Sequence, residues 1–140
     1  IDRIKSWVSL LMLSQLDDKP ESLHFIALVR AIMCEKLADL IRPEERNKFY
    51  TVGLLSCLDA FIDQPIDQVV RHIKLDNEIS EALLSYQGIA GLALQTTLNF
   101  EQSHWQNLDL DRLDQFNLSL KRISELYYES SSLAMSLQDT

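Results

Sequence analysis

The sequence predicts an all-α fold, a compact bundle of about six or seven helices, and three observations carry that prediction. Apolar residues recur at three- and four-residue steps in nearly every segment, the spacing of a helix with one face turned inward. The chain holds only 3 Gly and 3 Pro in 140 residues and no low-complexity segment, with a hydrophobic content of 46%, a composition of globular rather than disordered chains. The stretch from Phe49 to Ile62 is apolar almost without interruption, with Phe49, Val52, Leu55, Leu58 and Ile62 at helical spacing and Leu54, Cys57 and Phe61 beside them. A helix apolar nearly all round belongs in the middle of a bundle, and Gly53 near its start lets a neighbouring backbone come close.

Taken in order, Ile1 to Leu16 presents Ile4, Trp7, Val8, Leu11 and Met12 on one face and is expected as a core helix. Asp17 and Asp18 suit a cap, and Pro20 suits the first turn of the next helix. That helix is expected from about Glu21 to Leu40, with Leu23, Ile26, Ala27, Met33, Cys34 and Leu37 inward. Arg30 and Glu35 lie within it, read as polar contacts to neighbouring helices or solvent in preference to a ligand-positioning pair. Pro43 disfavours helical conformation at Arg42, and Glu44 and Glu45 favour a new helix start.

After the central stretch, Asp63-Gln64-Pro65 closes one helix and opens a short one, Ile66 to Ile73. Asp76 is placed to cap the next helix, with Glu78 complementing its dipole, and Ile79, Ala82, Leu83 and Tyr86 carry it to Gly88. The Gly88-Ile89-Ala90-Gly91 segment reads as a helix junction with close backbone packing; a phosphate-cradling loop needs a longer glycine-rich turn after a strand. Gly91 to about Trp105 and Leu108 to Gln138 complete the helices, the latter weakened at Ser130-Ser131-Ser132.

Charge and residue chemistry narrow the function. A formal net charge of -8 repels phosphate backbones, and the one basic cluster, Arg42, Arg46 and Lys48, is interrupted by Glu44 and Glu45, so no nucleic-acid partner is expected. No apolar run approaches the roughly 18 residues of a membrane span. Cys34 and Cys57 sit in apolar helical contexts without Cys-x-x-Cys spacing and are expected as buried, reduced thiols of a cytoplasmic protein. His24, His72 and His104 form no short ligand pair, so no metal is expected, nor any cofactor. Cys57 beside Ser56 lacks an adjacent base for nucleophilic catalysis. Asp59 and Asp63, four apart, read as helix-end polar residues before a carboxylate pair. The letters Glu81-Ala82-Leu83 spell the name of a phosphodiesterase signature by coincidence.

Two motifs nevertheless carry a resemblance. Gly53-Leu54-Leu55-Ser56-Cys57-Leu58-Asp59 resembles the Gly-Leu-Leu-His-Asp-Ile-Gly helix of HD-type phosphohydrolase folds in the degenerate form of HDOD domains. Arg30-Ala31-Ile32-Met33-Cys34-Glu35-Lys36-Leu37-Ala38 resembles the Arg-Ala-x-x-x-Glu-x-Leu-Ala helix that precedes it, notably in HDOD domains fused to EAL domains of cyclic-di-GMP signalling proteins. Phe100-Glu101-x-x-x-Trp105, and Tyr127, Tyr128 and Ala134 near the end, match further segments of that group. The resemblance implies that the metal-binding His-Asp pair of an HD enzyme stands replaced by Ser56 and Cys57.

What the resemblance implies as a whole is a non-catalytic, bacterial signal-transduction module, a single HDOD-like domain over residues 1–140. It reads as a fragment of a longer chain, with an EAL-like domain and the first HDOD helices missing. Its partner is then another protein or the adjacent EAL-like domain. Two alternatives stay open: a divergent metal-dependent HD phosphohydrolase acting on a phosphate ester or cyclic nucleotide, and a structural dimerisation domain forming a homo-oligomer.

Overall fold

The computed structural model describes residues 21–72 and 75–138, all helices and turns, with no strand among them. Eight α-helical segments appear: α1 (Glu21–Ile41), α2 (Arg46–Leu55), α3 (Leu58–Ile62), α4 (Ile66–His72), α5 (Asn77–Ser85), α6 (Gly88–Glu101), α7 (Leu110–Asp114) and α8 (Leu120–Gln138). Short 3-10 turns at Pro43–Glu45 and Trp105–Asn107 link them. The helix expected over Ile1–Leu16, and its capping residues, lie outside the described residues.

The all-α expectation holds, and two expected helices are each broken in two. The Phe49–Ile62 stretch is α2 and α3, interrupted at Ser56 and Cys57. Every residue from Phe49 to Leu55 is buried, as the near-continuous apolar pattern requires. The Leu108–Gln138 stretch is α7 and α8. There Asn117 adopts the left-handed conformation (φ 60°), and the Leu118 N–H donates to the Leu113 carbonyl at 3.0 Å, with both leucines buried. That is a Schellman closure with its hydrophobic contact. Ser119 then caps α8, its hydroxyl accepting from Arg122 N–H at 3.1 Å.

Other boundaries follow the sequence closely. Arg42, ahead of Pro43, leaves helical conformation at φ −146°, ψ 73°. Asp76 accepts from Ile79 N–H through its side chain, as a capping aspartate should. Helix α8 continues through Ser130–Ser132: the Ser130 and Ser131 hydroxyls donate to the carbonyls four residues back, at 2.7 and 3.0 Å.

The centre is the pair α1 and α2: α1, α5 and α6 pack against α2, while α2, α6 and α8 pack against α1. In α1, Ala31, Met33, Cys34, Leu37 and Ala38 are fully buried. Ser130 of α8 meets Met33, and Tyr127 lies within electrostatic reach of Arg30. Both pairs are 97 residues apart, so α1 and α8 run in the same direction. Against α1 from the other side, Gly53 of α2 sits so close that a Cβ there would strike the Arg30 carbonyl, with Arg30 C at 2.7 Å and Ala31 Cα at 2.9 Å. Gly91 of α6 lies equally close to the Tyr86 backbone, as the expected junction implies.

Because backbone cannot step aside as a side chain can, Gly53→Ala should lower unfolding free energy in urea by about 3 kcal/mol. Gly88→Ala, at positive φ but with open space around it, should cost about 1 kcal/mol.

Candidate functional site

Ser56 makes the break between α2 and α3. Its hydroxyl turns back and donates to the Gly53 carbonyl at 2.6 Å, taking the acceptor that the next helical N–H would use. Cys57 N–H reaches instead to Leu54 at 3.3 Å, one residue short of the α pattern. Arg30 meets the exposed chain there, donating from Nη1 to the Ser56 carbonyl at 3.3 Å and to its Oγ at 3.4 Å.

The other side of the same guanidinium grips Glu101 at the end of α6, Nε to Oε1 at 3.0 Å and Nη2 to Oε2 at 2.8 Å. This is the two-pronged arginine–carboxylate geometry, among the strongest charge-assisted contacts. Both side chains are only about 15% exposed (16% and 15%), so salt screens them less than a surface pair. Burial is the largest single influence on the Arg30 charge and disfavours it, but the Glu101 hydrogen bond together with the neighbouring negative groups, Glu101 and Asp59 among them, outweighs it and the pKa rises. The group is a permanent cation joining α1, the α2–α3 break and α6.

Beside it opens a cleft of about 360 Å³. Arg30, Ser56, Asp59 and Gln102 supply its polar groups, and Leu23, Ile26, Ile66, Leu94 and Leu98 its apolar wall. Tyr86, in left-handed conformation at φ 55°, stands at the rim. Asp59 holds its own helix start, Oδ1 accepting from Ala60 N–H at 2.9 Å. Asp63 caps the far end of α3 in left-handed conformation, so both aspartates serve as helix-end residues and not as a carboxylate pair on one continuous face.

The positions singled out in the sequence therefore divide. Arg30, Ser56, Cys57 and Asp59 line one cleft. Gly53, Leu54 and Leu55 are buried within α2 and are not among the residues that line it. Glu35 belongs elsewhere, paired with Arg46 at 3.3 Å, so Arg30 and Glu35 form no common site. Glu101, Tyr86 and Gln102 were not among the expected site residues. The only sequence signal for Glu101 was its place in the Phe100-Glu101-x-x-x-Trp105 segment, which does not name its partner.

A divalent cation does not suit this place. The Ser56 hydroxyl is already donating, the guanidinium is a fixed like charge, and burial pushes the Cys57 thiol up to about 11, protonated at neutral pH. Among the described residues no three His, Cys, Asp or Glu side chains gather as a metal would need. Cys34 is more deeply buried, its thiol pushed up to about 12; it contacts Thr97 Oγ1 at 3.6 Å while that hydroxyl donates to Ala93 at 2.9 Å. The basic cluster is also neutralised: Arg42 pairs with Glu45, Arg46 with Asp39 and Lys48 with Glu78. No helix among the described residues is long and apolar enough to cross a membrane.

The chain is similar to the cyclic di-GMP phosphodiesterase CdgJ of Vibrio cholerae, 30% identical over 110 residues that make up 77% of this chain and 26% of that protein. It is also similar to the uncharacterized protein YuxH of Bacillus subtilis, 27% identical over 108 residues, 74% of this chain and 26% of YuxH. The chain thus matches about a quarter of the length of these curated relatives. No family profile matches it, and no solved structure does.

A double-mutant cycle on Arg30→Ala and Glu101→Ala in urea should show the two losses failing to add, with a coupling of about 1–2 kcal/mol. The thiols predict a pH dependence. Their folded pKa values lie above the ordinary thiol value of 9.0, so their contribution is complete below about pH 9 and is lost as pH rises through about 11 to 12. Unfolding free energy should fall across that window, and less in Cys34→Ala.

Proposed function

We propose that this chain is a non-catalytic, HDOD-like module of a bacterial cyclic-di-GMP signalling protein, acting in the cytoplasm by contact with another protein or with an adjacent EAL-like domain. The observation that carries this reading is the Arg30–Glu101 pair seated on Ser56. Where an HD enzyme would hold a metal between histidine and aspartate, this chain has a guanidinium already neutralised by its own carboxylate. Phosphate-ester hydrolysis in such a fold relies on the metal to activate water and stabilise developing charge, and an internal arginine bonded to Glu101 and Ser56 supplies neither a bound hydroxide nor an open coordination position. The likeness to two proteins over about a quarter of the length of each, one of them named for cyclic di-GMP, supports the signalling context.

The remaining geometry suits a module that transmits position. The Arg30 guanidinium ties three helices together, so displacement at the cleft is passed to α1, on which α2, α6 and α8 converge. A packed core of this kind shifts between discrete arrangements more readily than it deforms by degrees.

Two measurements test the reading. Purified chain supplied with Mn²⁺ or Mg²⁺ should leave cyclic di-GMP intact and retain no stoichiometric metal by elemental analysis; metal-dependent turnover would establish the phosphohydrolase alternative instead. Used as bait in a lysate of its own organism, the chain should retain a specific protein that a misfolded Gly53→Leu control does not.

A further inference from the structure

Resting on that reading, the cleft beside Arg30 indicates what kind of partner segment the module takes. Its wall is aliphatic, built from Ile26, Ile66 and Leu98, and its volume of about 360 Å³ admits one large side chain. The charges around it are unequal. Arg30 is bonded to Glu101 on one side and to Ser56 on the other, so its charge is matched within the protein. Asp59 accepts from the Ala60 N–H on one oxygen and, among the described residues, has no cation at ion-pair distance; it lies within electrostatic reach of Arg30, so one guanidinium faces two carboxylates, Glu101 and Asp59. On the flanking segment Asp67 and Arg71 follow as opposite charges, and the chain as a whole carries -8. An anion entering this cleft meets Asp59 and a cation already satisfied; an apolar group ending in a positive charge meets complementary surfaces at both ends.

The geometry points to a partner segment that presents a large aliphatic side chain next to a lysine or arginine, the aliphatic part against Ile26 and Leu98 and the cation on Asp59. Such a contact follows the general pattern of protein interfaces, an apolar anchor in a pocket with a charged group at the rim. The site is shaped by two backbone devices already described, the α2–α3 break at Ser56 and the left-handed Tyr86, both of which line it.

The test titrates the ¹⁵N-labelled 140-residue chain with hexylammonium, hexan-1-ol and hexanoate, three probes with one tail and different heads. Saturable shifts are expected at the amides of residues 56–60 and 98–102, with hexylammonium bound about five-fold tighter than hexanoate, the most that a half-exposed ion pair contributes. Asp59→Asn, whose amide oxygen can still accept from Ala60 N–H, should erase that advantage and leave hexan-1-ol binding unchanged. Tighter binding of hexanoate would overturn the proposal in favour of an anion site on Arg30. Absence of any saturable shift in the cleft would overturn it by showing the cleft closed to outside groups, residues 1–20 of the same chain among the things that would close it. Either failure leaves the signalling reading standing, because that is decided by hydrolysis and by the lysate experiment; hydrolysis with bound metal would remove the signalling reading whatever the probes do.

Discussion

The contact on which the rest of the structure depends is backbone against backbone. Helix α2 crosses α1 with Gly53 lying on the Arg30 carbonyl, a separation that no residue with a side chain can reach. This crossing sets the height of α2 above α1, and so where α2 ends. Ser56, three residues past Gly53, is brought onto the guanidinium of the very residue whose carbonyl Gly53 touches. Packing and polar chemistry at this place are one arrangement: a looser crossing would move Ser56 out of reach of Arg30 and leave a half-buried cation with fewer acceptors, a costly state.

The chain's glycines are placed accordingly. Four helical segments end on left-handed residues that are not glycine, Asp63, Tyr86, Ser103 and Asn117, each accepting a conformation disfavoured by its Cβ. Two of the three glycines, Gly53 and Gly91, stand instead where backbone touches backbone. Termination is left to residues that tolerate the strain or, like Tyr86, are held in it by the packing of Gly91 against their own carbonyl. The cleft inherits its shape from both devices, since Ser56 and Tyr86 both line it.

Much of this was legible in the sequence where the signal is local. The span of α1, the stop before Pro43, the Asp76 cap, the burial around Gly53 and the close junction at Gly91 all follow from neighbouring residues. What local pattern could not show was decided by distant partners. The apolar run Phe49–Ile62 gives no sign of a break, because the break depends on a serine hydroxyl competing for a carbonyl and on an arginine 26 residues upstream. Glu101 meets Arg30 across 71 residues, and nothing in either sequence neighbourhood names the other. Arg30 and Glu35 were singled out together as neighbours on one helix, yet they face different elements, since five residues along a helix turn side chains well apart.

The parallel seating of α8 on α1 bears on how the chain is made. Helix α1 is the first described element and α8 the last, and the inner face of α1 has one of its covers only when residues 120–138 exist. During synthesis, which proceeds at about 5–20 residues per second, Met33 waits several seconds for Ser130 to be translated. Through that interval α1 and α2 can pair by their local crossing while one flank stays apolar and open, the condition under which chaperones engage nascent chains. A stop codon between residues 56 and 120 would therefore yield a product that retains α1 and α2 and lacks the α8 cover for its core.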